Sequence, residues 1–431
     1  MRTIGIYGFK LFSRMDEKLS SRAIIHNLTL LLLIGFVLRM VVAQTFLGGL
    51  NRGYQGDEGG YLSLATHIAQ GLGFTGNSGA VTSYRVPGLP LLLAIPIGLI
   101  GPNIIAIRIF MCFVESLLIP ACYLLVRSVT GSAKLGLIAS TIAIFFPSWI
   151  IPSGAVLTDI PAAILVTLMV WMLIEGNRRQ SLLWIVGAGL FWGTATLTRA
   201  VSLIDGPAIV LWLLLITPGW KSRLAAVAAV TIPFACVLAP WSIRNAYLHS
   251  RFVLISTQGG VVLYISNNPE ATGILAIDQA YGDESSAQRY PKDEYPNEVA
   301  RDDLLKAQAI KFIRENPRRF AQLCFIRFVQ FWKLYSPRVP VSNSLAVIAS
   351  FGVALPFFLI QAFRRGWRRG PEMLFLLIIL CQTGLHMVYG SIVRYRVPIE
   401  PLIIVMGITG FCWMFGRFRL WRGTAPSTGY I

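Results

Sequence analysis

Long apolar runs recur from residue 27 to residue 416, separated by short charged turns and by two long polar stretches. Ten runs are long enough to cross ~30 Å of hydrocarbon as helices: 27–47, 104–126, 135–152, 155–174, 181–197, 200–217, 224–242, 343–363, 373–390 and 397–416. The pattern predicts an all-α polytopic membrane protein. The two long stretches, 48–103 and 243–342, hold what is not membrane-spanning.

The first stretch predicts a short helix opening at Asp57-Glu58 and stopped at Gly71 and Gly73. Next come Tyr84-Arg85-Val86-Pro87-Gly88-Leu89-Pro90 and the apolar segment 89–101. That segment is too short to span, so it reads as a helix in the membrane plane. In the second stretch, 270–303 is polar and acidic, with Asp283-Glu284 and Asp302-Asp303. Residues 304–335 predict two helices broken at Asn316-Pro317. Eight basic residues lie between Lys306 and Arg338, against the single acid Glu315, and Phe320, Phe325, Phe328, Phe331, Trp332 and Tyr335 interleave with them. That mixture suits a helix on an anionic membrane surface, with a solvated helix packed on its loop as the alternative. No internal repeat is evident, which disfavours a carrier built from inverted halves.

Composition sharpens this. The chain has 431 residues, 55% hydrophobic and 13% charged, with a formal net charge of +18. If the N-terminus is cytoplasmic, the inner segments 1–26, 127–134, 175–180, 218–223, 364–372 and 417–431 carry 18 Lys+Arg against 4 Asp+Glu. The opposite orientation would expose Arg364-Arg365-Gly366-Trp367-Arg368-Arg369, against the positive-inside rule. The basicity is therefore a topology signal, and a nucleic-acid partner is not expected. The expected organisation is a cytoplasmic tail 1–26, a membrane module 27–242 containing the outer loop 48–103, an outer loop 243–342, membrane helices 343–416 and a cytoplasmic tail 417–431. The first run has no obvious cleavage site and reads as a retained anchor. Cys112, Cys122, Cys236, Cys324, Cys381 and Cys412 have no metal-ligand spacing and read as small hydrophobes. Neither His67 nor His249 has a ligand-spaced partner.

The remaining charges gather near the outer face: Asp57, Glu58, Arg85, Arg108, Asp159, Arg199, Asp205, Arg244, Arg394 and Arg396. Ionisable residues at that depth are costly and are usually functional or paired. Outer arginines suggest an anionic ligand, and a phosphate suits planar guanidinium forks. Asp57 and Glu58 read as a general base with its support, as a possible seat for a divalent cation, or as a helix cap with a first-turn charge. Asp159 reads either as a helix N-terminal charge or as a substrate contact facing Asp57. Arg199 has Asp205 as a possible ion-pair partner; Arg244, Arg394 and Arg396 could be headgroup anchors. Arg108 and Glu115 share a helix face and read as structural.

In order along the chain stand Asp57-Glu58 with Tyr61, Arg85-Val86-Pro87-Gly88, Leu197-Thr198-Arg199-Ala200, Pro240-Trp241-Ser242-Ile243-Arg244-Asn245, Gly259-Gly260 with Asn267-Asn268-Pro269, and Arg394-Tyr395-Arg396-Val397-Pro398. With these the chain resembles the GT-C class of polyprenyl-phosphate-sugar-dependent glycosyltransferases, and is similar to protein O-mannosyltransferases and lipid A aminoarabinose transferases. The resemblance implies a bundle of about ten transmembrane helices with in-plane helices, in a bacterial inner membrane. It implies a sugar moved, with inversion, from a polyprenyl phosphate to a lipid, glycan or protein hydroxyl. By carry-over Asp57 is the base assisted by Glu58. Arg85, Arg199, Arg244, Arg394 and Arg396 are candidates for the donor phosphate, and Tyr61 and Asp159 for substrate. No cofactor is certain, although a divalent cation is possible. Gly59-Gly60 and Val86 depart from the pattern, where bulkier residues and a proline are common. A flippase or transporter of a lipid-linked or anionic solute is the alternative.

Overall fold

The computed structural model describes residues 20–46, 48–76, 78–274, 297–334, 345 and 347–422. Asp283-Glu284, Tyr335, Arg338, the start of the eighth run at 343 and most of both expected tails lie outside them. The regular secondary structure of the described residues is helical, apart from one isolated bridge between Thr75 and Val81. Seven helical stretches are long and apolar enough to cross a membrane: 21–45, 104–130, 159–179, 220–249, 348–365, 371–389 and 393–416. The protein has a multi-pass membrane architecture.

The other three of the ten expected spans appear as apolar helices of 10–17 residues, Ala133–Phe145, Leu182–Thr198 and Ala200–Ile216. The run 135–152 is cut because Pro147 disfavours helical backbone at the residue before it, and Phe146 is extended, at φ −69° and ψ 117°. A second break falls at Arg199, at φ −146° and ψ 109°, which separates Leu182–Thr198 from the short turn Ala200–Ile204. The second break lies beside the site described below, since Thr198, Arg199 and Ala200 line its cavity.

Close packing follows from small residues, as it must where lipid removes the hydrophobic drive between helices. A Cβ on Gly189 would lie 2.3 Å from the Val230 carbonyl oxygen, and one on Gly193 would lie 2.7 Å from the Val237 Cβ. These two glycines, four apart on Leu182–Thr198, let that helix press on Trp220–His249. The main core gathers Trp149, Trp212, Phe331, Phe351 and Phe375, all fully buried. Outer faces are apolar in turn: Leu30, Leu33, Val37 and Val41 of helix Ser21–Phe46 are exposed. The same helix buries Arg39 completely, its guanidinium donating to the carbonyls of Gly35 and Ala143.

Among the described residues, the two long loops form the helices their patterns predict, the one expected from 304 starting earlier, at Glu298. Asp57–Ala69 ends before Gly71 and Gly73, both at positive φ. Helix Gly88–Ile100 packs Leu89, Leu93 and Ile97 inward and leaves Leu91, Ile95 and Leu99 exposed, so it is apolar on both sides. Helices Glu298–Glu315 and Pro317–Trp332 meet at the predicted Asn316-Pro317 break.

Candidate active site

Helix Asp57–Ala69 starts at Gly56, whose φ of 55° is a left-handed value that glycine adopts without strain. Asp57 is therefore the first helical residue rather than the cap. Its carboxylate turns instead to two guanidinium groups. Arg85 Nη2 donates to Oδ1 at 3.0 Å, and Arg394 Nη2 lies 3.4 Å from Oδ2. Arg85 lies across the Tyr61 ring, 4.5 Å from its centroid. Gly60 leaves it room: a Cβ there would sit 3.0 Å from Arg85 Nε. The small Gly59-Gly60 pair is thus explained at its second residue by the guanidinium beside it.

Asp159 opens helix Asp159–Arg179 on the opposite wall. It accepts from Arg199 Nη1 at 2.9 Å, and its Oδ2 lies 3.5 Å from Arg394 Nε. Arg199 also donates to Thr158 Oγ1 and lies 5.1 Å from the centroid of the Tyr395 ring. The predicted alternative partner, Asp205, is elsewhere, fully buried and bonded by Gln382. The motif Arg85-Val86-Pro87-Gly88 reaches this wall because Gly88 has no side chain: a Cβ would fall 2.6 Å from Thr198 Oγ1. Two motifs over a hundred residues apart are thereby pressed together, and Arg85 and Arg199 with them.

Asp57, Asp159, Arg85, Arg199, Arg394 and Tyr61 all line one cavity of about 990 Å³. The cavity runs between the helix ends and the second long loop, and Trp192, Leu203 and Ile204 give it an apolar wall. Within it the guanidinium groups of Arg85, Arg199 and Arg394 meet the carboxylates of Asp57 and Asp159. Arg394 reaches both acids, through contacts longer than the other two arginines make.

Glu58, adjacent in sequence, does something else. It is buried and accepts from Arg52 and Arg108 and from the backbone N–H groups of Gln55 and Val156. Burial pushes its carboxyl up, but the Arg108 hydrogen bonds and the two amides outweigh it and hold the group below its ordinary value of 4.5. Its oxygens are committed away from Asp57, so the acidic pair does not converge on a cation. No group of three or more His, Cys, Asp or Glu residues that could hold a metal occurs among the described residues.

Arg244 and Arg396 also lie outside the cavity. Arg244 donates to the Thr82 and Phe74 carbonyls and to Ser83, joining the two long loops. Arg396 is fully buried, paired with Glu400 at 3.0 Å and donating to the Phe331 and Lys333 carbonyls. Arg108 is structural, as its position suggested, although its carboxylate partner is Glu58; Glu115 accepts from Gly154 N. His67 bonds Thr75, and His249 contacts Ser83 and Glu298. The pattern had left three features unread: Arg52 as a partner of Glu58, His386 and Thr257 on the cavity wall, and Asp302, which caps helix Gly259–Ser266 through Gly260 N and Val261 N. Only Asp302 carried a signal, as part of an acidic pair.

The fold and site define a polytopic helical scaffold with an arginine–aspartate cluster at one end. Residues 85–243 match the family model described as dolichyl-phosphate-mannose-protein mannosyltransferase. Among solved structures, the oligosaccharyltransferase AglB from Archaeoglobus fulgidus, in complex with an inhibitory peptide and a dolichol-phosphate, is 15% identical. That match covers 94% of this chain and 52% of that one, with a TM-score of 0.58. The apo form of the Archaeoglobus fulgidus enzyme matches with a TM-score of 0.59 over 95% of this chain and 52% of that one, again at 15% identity. ArnT from Cupriavidus metallidurans, bound to undecaprenyl phosphate, matches more loosely, at 14% identity over 89% and 77% of the two chains, with a TM-score of 0.43. No curated protein sequence matches the chain. The chain thus spans about half the length of the archaeal enzyme and shares its fold. The family match and the shared fold bear out the GT-C resemblance read from the sequence.

Proposed function

We propose that this chain is an integral-membrane glycosyltransferase that takes a sugar from a polyprenyl-phosphate donor to an envelope hydroxyl acceptor. The observation that carries the reading is Asp57: a carboxylate at a helix start, lining a cavity, with the guanidinium groups of Arg85 and Arg394 on it and Arg199 on the neighbouring Asp159. Arg85, Arg199 and Arg394 bind the donor phosphate. Asp57 takes the acceptor proton as the acceptor oxygen bonds to the anomeric carbon from the face opposite the phosphate. The anomeric carbon–phosphate oxygen bond breaks, its electron pair stays on the lipid phosphate, and the configuration inverts. The arginines stabilise the charge of the leaving phosphate without reorganising, because they are already fixed in the cavity wall. Asp159 holds Arg199 and Arg394 in place, and Tyr61 does the same for Arg85. Glu58 acts through its neighbours, tying Arg108 and the segment at Val156 to the start of the Asp57 helix. The inner clustering of positive charge supports reading this end of the bundle as the outer side of a bacterial inner membrane.

The test is transfer from labelled undecaprenyl-phosphate sugars to envelope fractions in membranes, wild type beside Asp57→Asn. Label moving only with the wild type supports the reading. A labelled lipid-sugar that crosses the bilayer with no transfer by either protein supports a flippase instead. Equal transfer by both proteins removes Asp57 as base.

A further inference from the structure

Two uncharged polar atoms on the cavity wall are buried and have no hydrogen-bond partner among the described residues: His386 Nε2 and Thr257 Oγ1. Their residues are 3% and 2% exposed. A buried polar atom left without a hydrogen bond keeps its full desolvation cost, so an occupant is expected.

His386 is fixed in both tautomer and orientation. Its Nδ1 lies 3.2 Å from the Gly390 carbonyl oxygen, which can only accept, so Nδ1 carries the proton. Nε2 is then a lone-pair acceptor. The ring is held between Phe331, with centroids 5.3 Å apart at 25°, and Tyr395, at 5.0 Å and 30°. Tyr395 has Arg199 over its ring, and Arg394 is 5.9 Å from its centroid. The acceptor therefore stands one aromatic ring away from the guanidinium cluster. A phosphate oxygen offers no proton to a neutral imidazole lone pair. A hydroxyl does.

We propose that His386 and Thr257 form the subsite for the donor's sugar ring, with His386 Nε2 accepting a hydrogen bond from one ring hydroxyl and Thr257 bonding a second. This rests on the transferase reading above, and it names the residues that select the sugar rather than the phosphate. Thr257 is held for this by its backbone, which donates to the Ser83 carbonyl and leaves the side chain uncommitted. The two groups come from different parts of the fold, helix Pro371–Tyr389 and the second long loop. Together they read one face of a sugar seated between them.

The experiment measures binding of undecaprenyl-phosphate hexoses, their mono-deoxy forms and sugar-free undecaprenyl phosphate to the full chain in nanodiscs. His386→Phe keeps the aromatic stack and removes the acceptor. It is expected to weaken the best-bound hexose lipid by about ten- to a hundred-fold. Sugar-free undecaprenyl phosphate should bind as to wild type, which also shows that the variant is folded. One mono-deoxy lipid should bind wild type and His386→Phe equally, and a different one should do so for Thr257→Val. Equal weakening of the sugar-free lipid would make His386 a support for the arginines and overturn the proposal. So would a loss of the same size for the hexose and every deoxy form. A wild type that binds undecaprenyl phosphate and discriminates among deoxy forms, yet transfers no sugar, would leave this subsite standing and sink the transferase reading.

Discussion

Asp57 and Glu58 are neighbours in sequence, and each sits among arginines, yet the two clusters behave differently. Around Glu58 the structure is closed. Four residues donate six hydrogen bonds to its two oxygens, Arg108 is 1% exposed, and both carboxylate and guanidinium are removed from water. Around Asp57 the structure is open to a cavity, and Arg394 is divided between two acids at 3.4 and 3.5 Å. A buried charge that loses its partner is strongly destabilising, whereas a cavity charge can exchange its partner for a ligand. The closed cluster is suited to holding the backbone in place. The open one is suited to trading Arg394 from carboxylate to phosphate. What separates structure from function here is how fully the oxygens are used, since the residue types are the same.

The contrast is broken most directly by exchanging the effects of the two acids. Asp57→Asn should lower transfer by roughly 10²–10⁴-fold, the range for a positioned general base, with thermal stability in detergent near wild type. Glu58→Gln should do the reverse in kind, destabilising the fold by about 3–5 kcal/mol by leaving Arg108 buried without its charge partner. Activity in whatever folded protein remains should fall much less. If Glu58→Gln is fully stable and Asp57→Asn unfolds, the roles given to the clusters are exchanged.

The same buried pair sets a pH dependence. The folded carboxyl of Glu58 is held below its ordinary value, so its stabilisation is complete above about 4.5 and fades as pH falls below that. Thermal melts of the wild type should lose stability on that acid limb, and Glu58→Gln should flatten the part of it that Glu58 supplies. Parallel acid limbs in the two proteins would remove Glu58 as the titrating group.

A smaller effect tests the sharing of Arg394. Arg394→Lys keeps a charge but cannot span two carboxylates with a planar fork. It should weaken undecaprenyl phosphate binding by about ten-fold, an effect of about 1.4 kcal/mol. Arg396→Lys, outside the cavity and paired with Glu400, should leave phosphate affinity unchanged and lower the melting temperature instead. If both variants lose phosphate affinity equally, the cavity boundary is misdrawn.

Much of this was legible in the chain. Helix-length apolar runs gave ten elements in the right order because membrane burial leaves the backbone little alternative to helix. The Asn316-Pro317 break and the stops at Gly71 and Gly73 were readable because proline and glycine act locally. The site was legible only as a list. Nothing local shows that Arg85 and Arg199 converge while Arg244 and Arg396 turn away. That sorting is made by tertiary packing, above all by the approach of Gly88 to Thr198. Glu58 looked like a partner of Asp57 because adjacency suggests common purpose, but successive residues on a helix point about 100° apart. His386 carried no signal at all: a lone histidine in an apolar run gains meaning only when its neighbours in space are known.

The smallest expected effect lies at the cavity rim. Arg251 and Asp303 form an ion pair there, with side chains 58% and 43% exposed. Exposed pairs are worth about 0–1 kcal/mol, because water and salt screen the charges and ordering two side chains costs entropy. Both residues line the cavity, yet neither contacts the cluster at Asp57 and Asp159. Arg251→Ala should therefore change donor affinity by less than about two-fold, and the change should vanish as salt is raised. The measurement is donor binding at low and high ionic strength. A larger, salt-resistant loss would mean that the rim touches the substrate, placing the acceptor between Arg251 and the Asp57 cluster. The division between open and closed arginine–carboxylate pairs would then need a third member, an exposed pair whose geometry is set by substrate.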